Sequence, residues 1–423
     1  MKEKIRVSII GGGIAGIALA ANLVKFSHLQ IEIFEAAPEF LEIGAGISFG
    51  KNAVSAIEKL GLAEEYRSIA DTVKPPFHDI WFQWRDGLTD KYLSNSIALG
   101  VGQSSVHRAH FLEIMVQKVP KVNCHFNKRL QQIKESDDEV TLTFMDGTSF
   151  NCDYVIGADG IRSVVRDYVL SSHNEPLVQP RFSGTWAYRG IIKYQEFRDL
   201  IIKHALAIEI ADVPQMFLAK DSHILTFPIG KGELINIVAF KSDRSNIQLD
   251  ENTPWTKPVE KSQMMEDFKG WSESCQLLLS LIDKPTIWAL HELAELNQYI
   301  SHSKRIIIMG DAAHAMVPHQ GAGAGQGLED ALILAQLLKY PSLEMSDLPE
   351  VSEIYQKLRL ERACKVQRTS RESGEIYELY SNEYPTLEAV GEHLKTRFDW
   401  LWEYDLNQDI QFIKNRFEKT SLV

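Results

Sequence analysis

The stretch IRVSIIGGGIAGIALAANLVKF, residues 5 to 26, decides the fold. Its first six residues are rich in β-branched side chains, as expected of a buried parallel strand. GGGIAG then places Gly11, Gly13 and Gly16 in the spacing G-x-G-x-x-G, and the residues that follow have helical periodicity. A strand, a glycine turn and a helix in this order predict a Rossmann-like dinucleotide-binding unit.

The next apolar run, IEIFEA at 31 to 36, predicts a second strand that ends at Glu35. In such a unit the glycines let the backbone approach a pyrophosphate, which binds N–H groups at the positive end of the helix. An acid about 20 residues further on accepts hydrogen bonds from a ribose diol. Glu35 is predicted to have this role, and its charge disfavours a 2′-phosphate. The tightly bound nucleotide is therefore expected to be FAD or NAD rather than NADP.

Two later segments repeat the design of a strand, an aspartate corner and a helix. CDYVIGADGIRSVVR (152 to 166) contains Asp159, and RIIIMGDAAHAMVPHQGAGAGQGLEDA (305 to 331) contains Asp311. A simple NAD dehydrogenase has no use for two further corners, whereas the ribityl chain of FAD needs a carboxylate acceptor midway along the molecule. Asp311 is assigned this role. The small residues 321 to 325 are expected to bring backbone N–H groups, at the start of a helix over 326 to 338, close to a flat ring.

Composition limits the partners and the compartment. The 423 residues carry a net charge of −12, which argues against a nucleic-acid partner or an anionic membrane surface. Four separated cysteines without a CxxC pair indicate reduced thiols in a cytoplasmic protein, and no histidine has the spacing of a metal site. The basic, then uncharged N-terminus mimics a signal peptide, but the glycines at 11 to 13 would break its helix. A cytoplasmic protein that binds no membrane is therefore expected.

Taken together, these motifs resemble the single-component (group A) flavoprotein aromatic hydroxylases. EIGAGISFGKNAVSAIEKLGL (42 to 62), VHRAHFL (106 to 112) and FDWLWEYD (398 to 405) are similar to the salicylate hydroxylase-like branch. The resemblance covers nearly the whole chain. It implies tightly but non-covalently bound FAD, NADH or NADPH that binds transiently, and molecular oxygen delivered from a flavin C4a-hydroperoxide. The implied substrate is a small phenolic acid of the hydroxybenzoate or salicylate type.

The predicted fold class is α/β (α+β overall), with three parts. A Rossmann-like FAD-binding domain is expected over 1–72, 105–178 and 280–344. An inserted, mostly antiparallel β-sheet substrate domain is expected over 73–104 and 179–279, with strands that include ALAIEI (205 to 210). A helical region is expected over 345–423, and its basic face is predicted to be a solvated surface or a clamp onto the flavin domain. A monomer and a homodimer both remain open.

The resemblance also assigns residues of the flavin site. Arg108 matches an arginine that contacts the cofactor, and Gly46, Ile47 and Ser48 match a loop that passes the flavin. Asp159 matches the Asp-Gly corner associated with both cofactors, and Gly323 and Ala324 complete the site with Asp311. Many relatives have Gly-Gln-Gly where this chain has Gly-Ala-Gly at 321 to 323, which removes an amide side chain but keeps the backbone donors.

For the substrate half, the resemblance implies that Arg189 holds the phenolate or carboxylate of the substrate. A cation nearby lowers the pKa of a phenol, which is otherwise about 10. His223 is a second candidate catalytic residue, to pair with the carboxylate or to relay a proton. Many relatives carry tyrosine where this chain has Phe227, so activation of the phenol by a tyrosine at this position is in doubt. The candidate pocket residues are Trp186, Tyr188, Met216, Phe217 and Phe227.

Other activities leave different marks in a sequence. Hydroxylation of salicylate at the carbon that bears the carboxylate would release CO2, whereas an alternative enzyme would hydroxylate a larger phenolic metabolite ortho or para to the phenol and keep the carboxylate. A flavin-dependent halogenase should contain W-x-W-x-I-P, which is absent from the sequence. A non-redox flavin-binding module would not need Arg189 or an aromatic pocket. The regiochemistry and the choice between NADH and NADPH remain open.

Overall fold

The structure is a computed structural model that describes residues 3–40, 46–137, 139–245, 247–250 and 253–420. Residues 42 to 45 of the segment used above for the resemblance lie outside the described residues. Within the described residues, no helix is both long enough and apolar enough to cross a membrane.

The described residues contain strands that pair into four sheets. In chain order they are β1 (Ile5–Ile10), β2 (Leu29–Phe34), β3 (Gly46–Phe49), β4 (Ile80–Asp86), β5 (Tyr92–Ile97), β6 (Ser104–His107), β7 (Cys124–His125), β8 (Leu130–Glu135), β9 (Val140–Phe144), β10 (Ser149–Cys152), β11 (Tyr154–Gly157), β12 (Arg181–Lys193), β13 (Gln215–Ala219), β14 (Ser222–Ile229), β15 (Leu234–Ser242), β16 (Thr256–Pro258), β17 (Thr286–Glu292) and β18 (Ile306–Ile308).

The helices surround these sheets. In chain order they are α1 (Ile14–Leu23), α2 (Lys51–Lys59), α3 (Ala63–Ile69), α4 (Arg108–Val116), α5 (Val164–Ser172), α6 (Tyr194–Lys203), α7 (Glu209–Asp212), α8 (Lys261–Asp267), α9 (Glu273–Ser280), α10 (Asp311–His314), α11 (Gly323–Leu338), α12 (Leu348–Tyr377), α13 (Leu387–Leu394), α14 (Asp399–Trp402) and α15 (Leu406–Thr420). Short 3-10 helices span Lys121–Asn123, Pro318–Gln320 and Met345–Asp347.

A five-stranded parallel sheet carries the dinucleotide signature. Its strand order is β18-β11-β1-β2-β7, with β1 in the centre and every neighbouring pair parallel. The carboxyl ends of parallel strands meet at one edge of a sheet, which is where open α/β sheets bind ligands. Gly11, Glu35 and Asp159 follow β1, β2 and β11, and Asp311 follows β18. The Rossmann-like prediction is confirmed, and one edge collects all three motifs.

An eight-stranded sheet forms the second layer, in the order β16-β17-β12-β15-β14-β13-β4-β5. Its pairs are antiparallel except for β13 and β4, so the predicted mostly antiparallel inserted sheet is confirmed. One face packs on α6 to α9, and the other faces the C-terminal helices. Strand β17 at Thr286–Glu292 belongs to this sheet, although the predicted FAD-binding segment began at residue 280.

The segment ALAIEI was predicted as a strand, and this prediction was wrong. Ala205 has a left-handed φ of 53°, and the backbone N–H of Leu206 donates to the carbonyl of Ile201 at 3.0 Å. These features end α6 and turn the chain into the short helix α7. The alternating apolar residues Leu206, Ile208 and Ile210 pack against the sheet's outer cluster from a turn and the start of a helix rather than from a strand.

Helices α12 to α15 confirm the predicted C-terminal helical region, and α12 is tied to α11 by buried ion pairs. Arg359 contacts Glu329 at 2.6 Å and Asp330 at 2.7 Å, and Arg362 contacts Glu329 at 2.6 Å. The basic face therefore acts as a clamp at these two arginines. Because α11 starts beside the motif edge, this clamp fixes the position of the site.

Candidate active site

A cavity of about 430 Å³ lies between the carboxyl edge of the parallel sheet and the inner face of the eight-stranded sheet. The residues that line it from the nucleotide side are Gly13, Ile14, Ala15, Gly46, Ile47, Ser48, Arg108, Ala158, Gly160, Met309, Gly310 and Asp311. Those from the sheet side are Trp81, Phe82, Arg189, Met216, Leu225, Phe227, Asn236, Val238 and Phe240. The start of α11 and Tyr377 of α12 close the remaining side.

The glycine loop permits contacts that a side chain would prevent. Gly11 has a left-handed φ of 110°, and a Cβ there would lie 2.2 Å from the carbonyl oxygen of Ala158. A Cβ at Gly16 would lie 2.2 Å from the carbonyl oxygen of Gly11. Gly13 itself lines the cavity. The loop thus brings bare backbone and the start of α1 to the cavity, as a pyrophosphate site requires.

Glu35 lies beside this loop and already accepts two backbone hydrogen bonds. Its Oε2 accepts from the N–H of Gly12 and its Oε1 accepts from the N–H of Ala37, each at 2.7 Å. A carboxylate oxygen has two lone pairs, so each oxygen can accept one more hydrogen bond. The carboxylate is therefore held in place with acceptor capacity remaining for a ribose diol.

The carboxylate of Asp159 is used within the protein, where it caps a helix, rather than being directed at the cavity. Its carboxylate accepts from the Ser163 hydroxyl at 2.5 Å and from the Val164 N–H at 2.8 Å, which caps the start of α5. Burial raises the pKa of Asp159, although these hydrogen bonds oppose the shift. Ala158 and Gly160, on either side of it, line the cavity. The corner thus presents backbone to the cavity while its carboxylate holds the helix.

Asp311 points the other way and is exposed at the cavity. No described residue pairs with its carboxylate, so the acceptor expected for ribityl hydroxyls is available. Its position is set by Asp330, whose Oδ2 accepts from the Gly310 N–H at 2.9 Å and contacts His314 Nε2 at 2.7 Å. Asp330 also accepts from Arg359, so the corner is connected to the buried clamp.

The glycines around α11 leave the space that a flat ring needs. A Cβ at Gly321 would have its nearest neighbour 3.6 Å away, on Trp81, and a Cβ at Gly323 would have its nearest 3.8 Å away, on Met316. Both glycines therefore face open cavity. By contrast, a Cβ at Gly327 would lie 3.0 Å from that of Ala15, which brings α11 close to α1. The predicted helix over 326 to 338 begins three residues earlier, so Gly323 and Ala324 form its first turn.

Gly46, Ile47 and Ser48 line the cavity from β3 rather than from a loop. A Cβ at Gly46 would lie 2.7 Å from the ring of Phe227, so this strand passes directly against the eight-stranded sheet. Arg108, the first residue of α4, lines the same region. These placements bring the predicted flavin residues together around one cavity. A glycine turn, a free carboxylate and an open helix start fit an extended dinucleotide that carries a flat ring.

Strand alternation divides the predicted pocket residues between two faces. Met216 and Phe227 line the cavity. Trp186, Tyr188 and Phe217 lie on the opposite face, against α6, α8 and α9, and the structure does not bring them to the cavity. Because successive side chains of a strand point to opposite faces, the neighbours of a cavity residue point away from the cavity.

Arg189 does reach the cavity, as predicted from the resemblance. Its guanidinium lies 4.4 Å from the ring centroid of Trp288, and its Nε is buried without a hydrogen-bond partner in the described residues. Burial, and then the nearby charge of Arg108, lower the pKa of Arg189 to about 10. It remains protonated at neutral pH. Two guanidinium groups therefore give this end of the cavity a positive potential.

His223 lies behind the cavity wall rather than in it. Its ring stacks on Phe240 at 4.2 Å, and its Nδ1 contacts Glu378 Oε1 at 3.0 Å, while Nε2 is buried without a partner in the described residues. Arg244 pairs with the other oxygen of Glu378 at 2.5 Å. Burial opposes ionisation of Glu378, but the hydrogen bond from His223 and the neighbouring charges hold its pKa below its usual range.

His319 is the member of this cluster that lines the cavity, 5.2 Å from His223 between ring centroids. Burial, and then the charge of His223, lower the pKa of His319 to about 3, so it is neutral at pH 7. The sequence around His319 gives no sign that it lies next to His223 and Glu378, because Glu378 is 155 residues from His223. The sequence analysis also did not identify Asn236 as a cavity residue. Its alternation with Val238 and Phe240 along β15 places the three side chains on one face, which was a usable signal.

Comparison with known proteins bears on this site. A family model described as an FAD binding domain matches residues 4–177 and 200–370. The chain belongs to this family. It is a flavin-dependent aromatic monooxygenase that uses FAD, with a nicotinamide dinucleotide as the reductant.

Individual relatives match over almost their full length. A salicylate hydroxylase of Pseudomonas putida is 49% identical over 412 residues, which are 97% of this chain and 94% of the relative. A 6-methylsalicylate 1-monooxygenase of Aspergillus terreus is 36% identical and covers 98% of this chain and 93% of its own. A solved salicylate hydroxylase substrate complex matches with a TM-score of 0.91 at 42% identity, over 98% of each chain.

Proposed function

We propose that this monooxygenase hydroxylates salicylate or a close ortho-hydroxybenzoate at the carbon that bears the carboxylate, with release of CO2. The observation that carries the proposal is Arg189, a cation in a largely apolar cavity whose buried Nε has no hydrogen-bond partner among the described residues. Relatives named for salicylate and 6-methylsalicylate support this substrate class. The alternative, non-decarboxylative hydroxylation of a larger phenol, is not favoured by these relatives.

When bound, FAD reduced by the nicotinamide donor would activate molecular oxygen, which is the source of the electrophilic oxygen atom added to the ring. The chain's own residues then have three tasks. Arg189 and Arg108 attract the carboxylate and lower the pKa of a phenol beside them, because a cation within about 4–6 Å favours the anionic form. The aliphatic and aromatic side chains of β14 and β15 exclude water. An electron-rich phenolate is the form that an electrophilic oxygen attacks.

The histidine cluster is the proposed route for the phenol proton. His319 is neutral and faces the cavity, so it can exchange hydrogen bonds with a phenol, and His223 lies behind it on the ionised Glu378. With a pKa of about 3, His319 is a weak base in the empty cavity. An anionic ligand beside it would raise that pKa. Phe227 lines the cavity without a hydroxyl group, so no tyrosine acts at that position.

We further propose the flavin-site roles expected from the sequence. Gly11, Gly13 and Gly16 form the pyrophosphate turn, Glu35 accepts from the ribose, and Asp311 accepts from the ribityl chain. Gly323 and Ala324 offer N–H groups to the flavin ring. The chain is proposed to divide into an FAD-binding part, a sheet-based substrate part and C-terminal helices. Strand β17 is assigned to the substrate part. A cytoplasmic location is supported by four free cysteines.

The test is NADH consumption in air by FAD-loaded protein, with and without salicylate and with its 3- and 4-hydroxy isomers. Salicylate is expected to stimulate consumption and to give catechol and CO2 in equal amounts. Stimulation by salicylate that yields a dihydroxybenzoate instead would contradict decarboxylation at the ring carbon. A failure of all three compounds to stimulate turnover would contradict the proposed substrate class.

A further inference from the structure

Asn236, on β15, has a side-chain amide that lacks a hydrogen-bond partner within the part of the chain that the structure describes. The residue is 5% exposed and lines the cavity, and no described residue makes a hydrogen bond to its amide. Its amide atoms are open to the cavity rather than enclosed by protein. A ligand that covers them removes their hydrogen bonds to water, which costs free energy unless the ligand offers a matching polar group. The amide therefore points to a polar group on the ligand.

The sheet register places Asn236 close to Arg189. Asn236 lies opposite Phe227 of β14 on one side and Ile191 of β12 on the other. Arg189 is two residues along β12 from Ile191, so it is the diagonal neighbour of Asn236 on the same face. Diagonal neighbours lie about 7–8 Å apart in an antiparallel pair. The two polar groups thus face the same part of the cavity.

Their chemistries differ in a way that matters for a hydroxybenzoate. A guanidinium only donates hydrogen bonds and suits a carboxylate, whereas an amide both donates and accepts. The other cavity-lining side chains of β14 and β15 are apolar, namely Leu225, Phe227, Val238 and Phe240. On these two strands, Asn236 Oδ1 is therefore the acceptor available to a phenolic hydroxyl. Its Nδ2 can instead donate to a phenolate.

We propose that Asn236 is a specificity-determining residue that recognises the phenolic oxygen of a ligand whose carboxylate is held by Arg189. The inference rests on the proposed function, since it takes the ligand to be a hydroxybenzoate. It adds a group that distinguishes ligands with a hydroxyl from those without one. Benzoate has the same carboxylate and ring but leaves the amide of Asn236 unpaired.

The experiment compares dissociation constants for the oxidised, FAD-loaded enzyme, measured from ligand-induced changes in flavin absorbance. The ligands are salicylate, its 3- and 4-hydroxy isomers, and benzoate. Asn236→Leu keeps the approximate size and removes the polar atoms, and Asn236→Ala is a second variant. Thr226→Val is the matched control, because Thr226 is a buried polar residue of β14 that points to the opposite face.

Wild-type enzyme is expected to bind one hydroxybenzoate more tightly than benzoate. In both Asn236 variants this preference should fall about tenfold, while benzoate binding changes by less than about threefold. Thr226→Val should keep the wild-type preference. If both variants keep the preference, or lose benzoate and hydroxybenzoate binding in parallel, Asn236 does not recognise the hydroxyl and only this inference fails. If wild-type enzyme binds no hydroxybenzoate, the inference and the proposed function fail together.

Discussion

Arg189 combines three properties that an arginine on an exposed strand lacks. Its Nε is buried, that nitrogen has no partner in the described residues, and burial, together with a second guanidinium close by, lowers its pKa to about 10. Removing charge from water without pairing it costs several kcal/mol. An anionic ligand would offset this cost, which supports the proposed role of Arg189 in binding a carboxylate or phenolate.

Arg189→Gln is therefore expected to leave FAD content unchanged and to lower kcat/KM for the hydroxybenzoate by about 30-fold or more. This corresponds to the 2–5 kcal/mol typical of a buried charged partner that is removed. Steady-state NADH oxidation and product yield measure the effect. Arg181→Gln is the matched control, because Arg181 lies on the same strand but is exposed and pairs with Glu292 at 3.0 Å. Product formation that stays coupled to NADH oxidation at the wild-type rate in Arg189→Gln would remove Arg189 from substrate binding.

His319 gives a prediction for pH. Its pKa is about 3 in the folded state against 6.5 when unperturbed, so between these values the unfolded chain binds one more proton. Stability from this group is thus fully present above pH 6.5 and is lost as the pH falls towards 3. Between about pH 6.5 and pH 5 the loss is roughly 1.5–2 kcal/mol.

Urea unfolding at several pH values, with ligand absent, measures this loss. The variant His319→Gln cannot take up the proton, so its free energy of unfolding should fall by that much less over the same interval. His223, Glu378 and Arg244 remain in both proteins, so their titration is common to the two curves. Parallel curves for wild type and His319→Gln would contradict a strongly lowered pKa.

At the scale of elements, the buried pairs between α11 and α12 position the active site from outside it. Arg359 is fully buried and contacts both Glu329 and Asp330, and Asp330 in turn holds the Gly310 corner. Such a pair is not by itself evidence of high stability. Removing one partner, however, leaves carboxylates buried without their cation.

Arg359→Leu is accordingly expected to lower the free energy of unfolding by about 3–5 kcal/mol. Equilibrium unfolding in urea measures this value. Arg368→Leu, on the same helix, is the control, because Arg368 is exposed and its pair with Glu295 should contribute less than about 1 kcal/mol. Equal effects of the two substitutions would show that the buried network does not hold α12 to α11.

Elements with a strong local signal were predictable from the sequence. Which face of each sheet strand meets the cavity was not. The strand predicted over 5 to 10 has those bounds in the structure, since its pattern and glycine stop are local. Along β12 and β13 both faces of the sheet are covered by other elements, so apolar residues occur at odd and at even positions of each strand. Hydrophobicity therefore does not show which face meets the cavity. This is why Tyr188 and Phe217 were predicted in the pocket together with Met216, although of these three only Met216 lines the cavity.

At the scale of the whole molecule, the cavity is where separate parts of the chain meet. The parallel sheet, the eight-stranded sheet and α12 each contribute a wall. The hydrophobic cluster that joins the eight-stranded sheet to the C-terminal helices includes cavity-lining residues such as Met216 and Phe240. The cavity also carries local positive charge on a protein of net charge −12. The proposed recognition of an anion would therefore depend on the nearby Arg189 and Arg108 rather than on the field of the whole protein.

A ligand that fills such a junction stabilises the folded state by mass action, so FAD is expected to raise the free energy of unfolding of the whole chain. At a free FAD concentration of 100 times Kd the gain is about 2.7 kcal/mol. Asp311→Ala should lose most of this gain because it removes the free carboxylate at the cavity, whereas Asp199→Ala, on the exposed side of α6, should keep it. Thermal unfolding of apo and FAD-saturated protein measures the gain. If FAD stabilised Asp311→Ala as much as wild type, with the same Kd, Asp311 would not be the ribityl acceptor, and the carboxyl edge of the parallel sheet would have to hold the cofactor through its backbone alone.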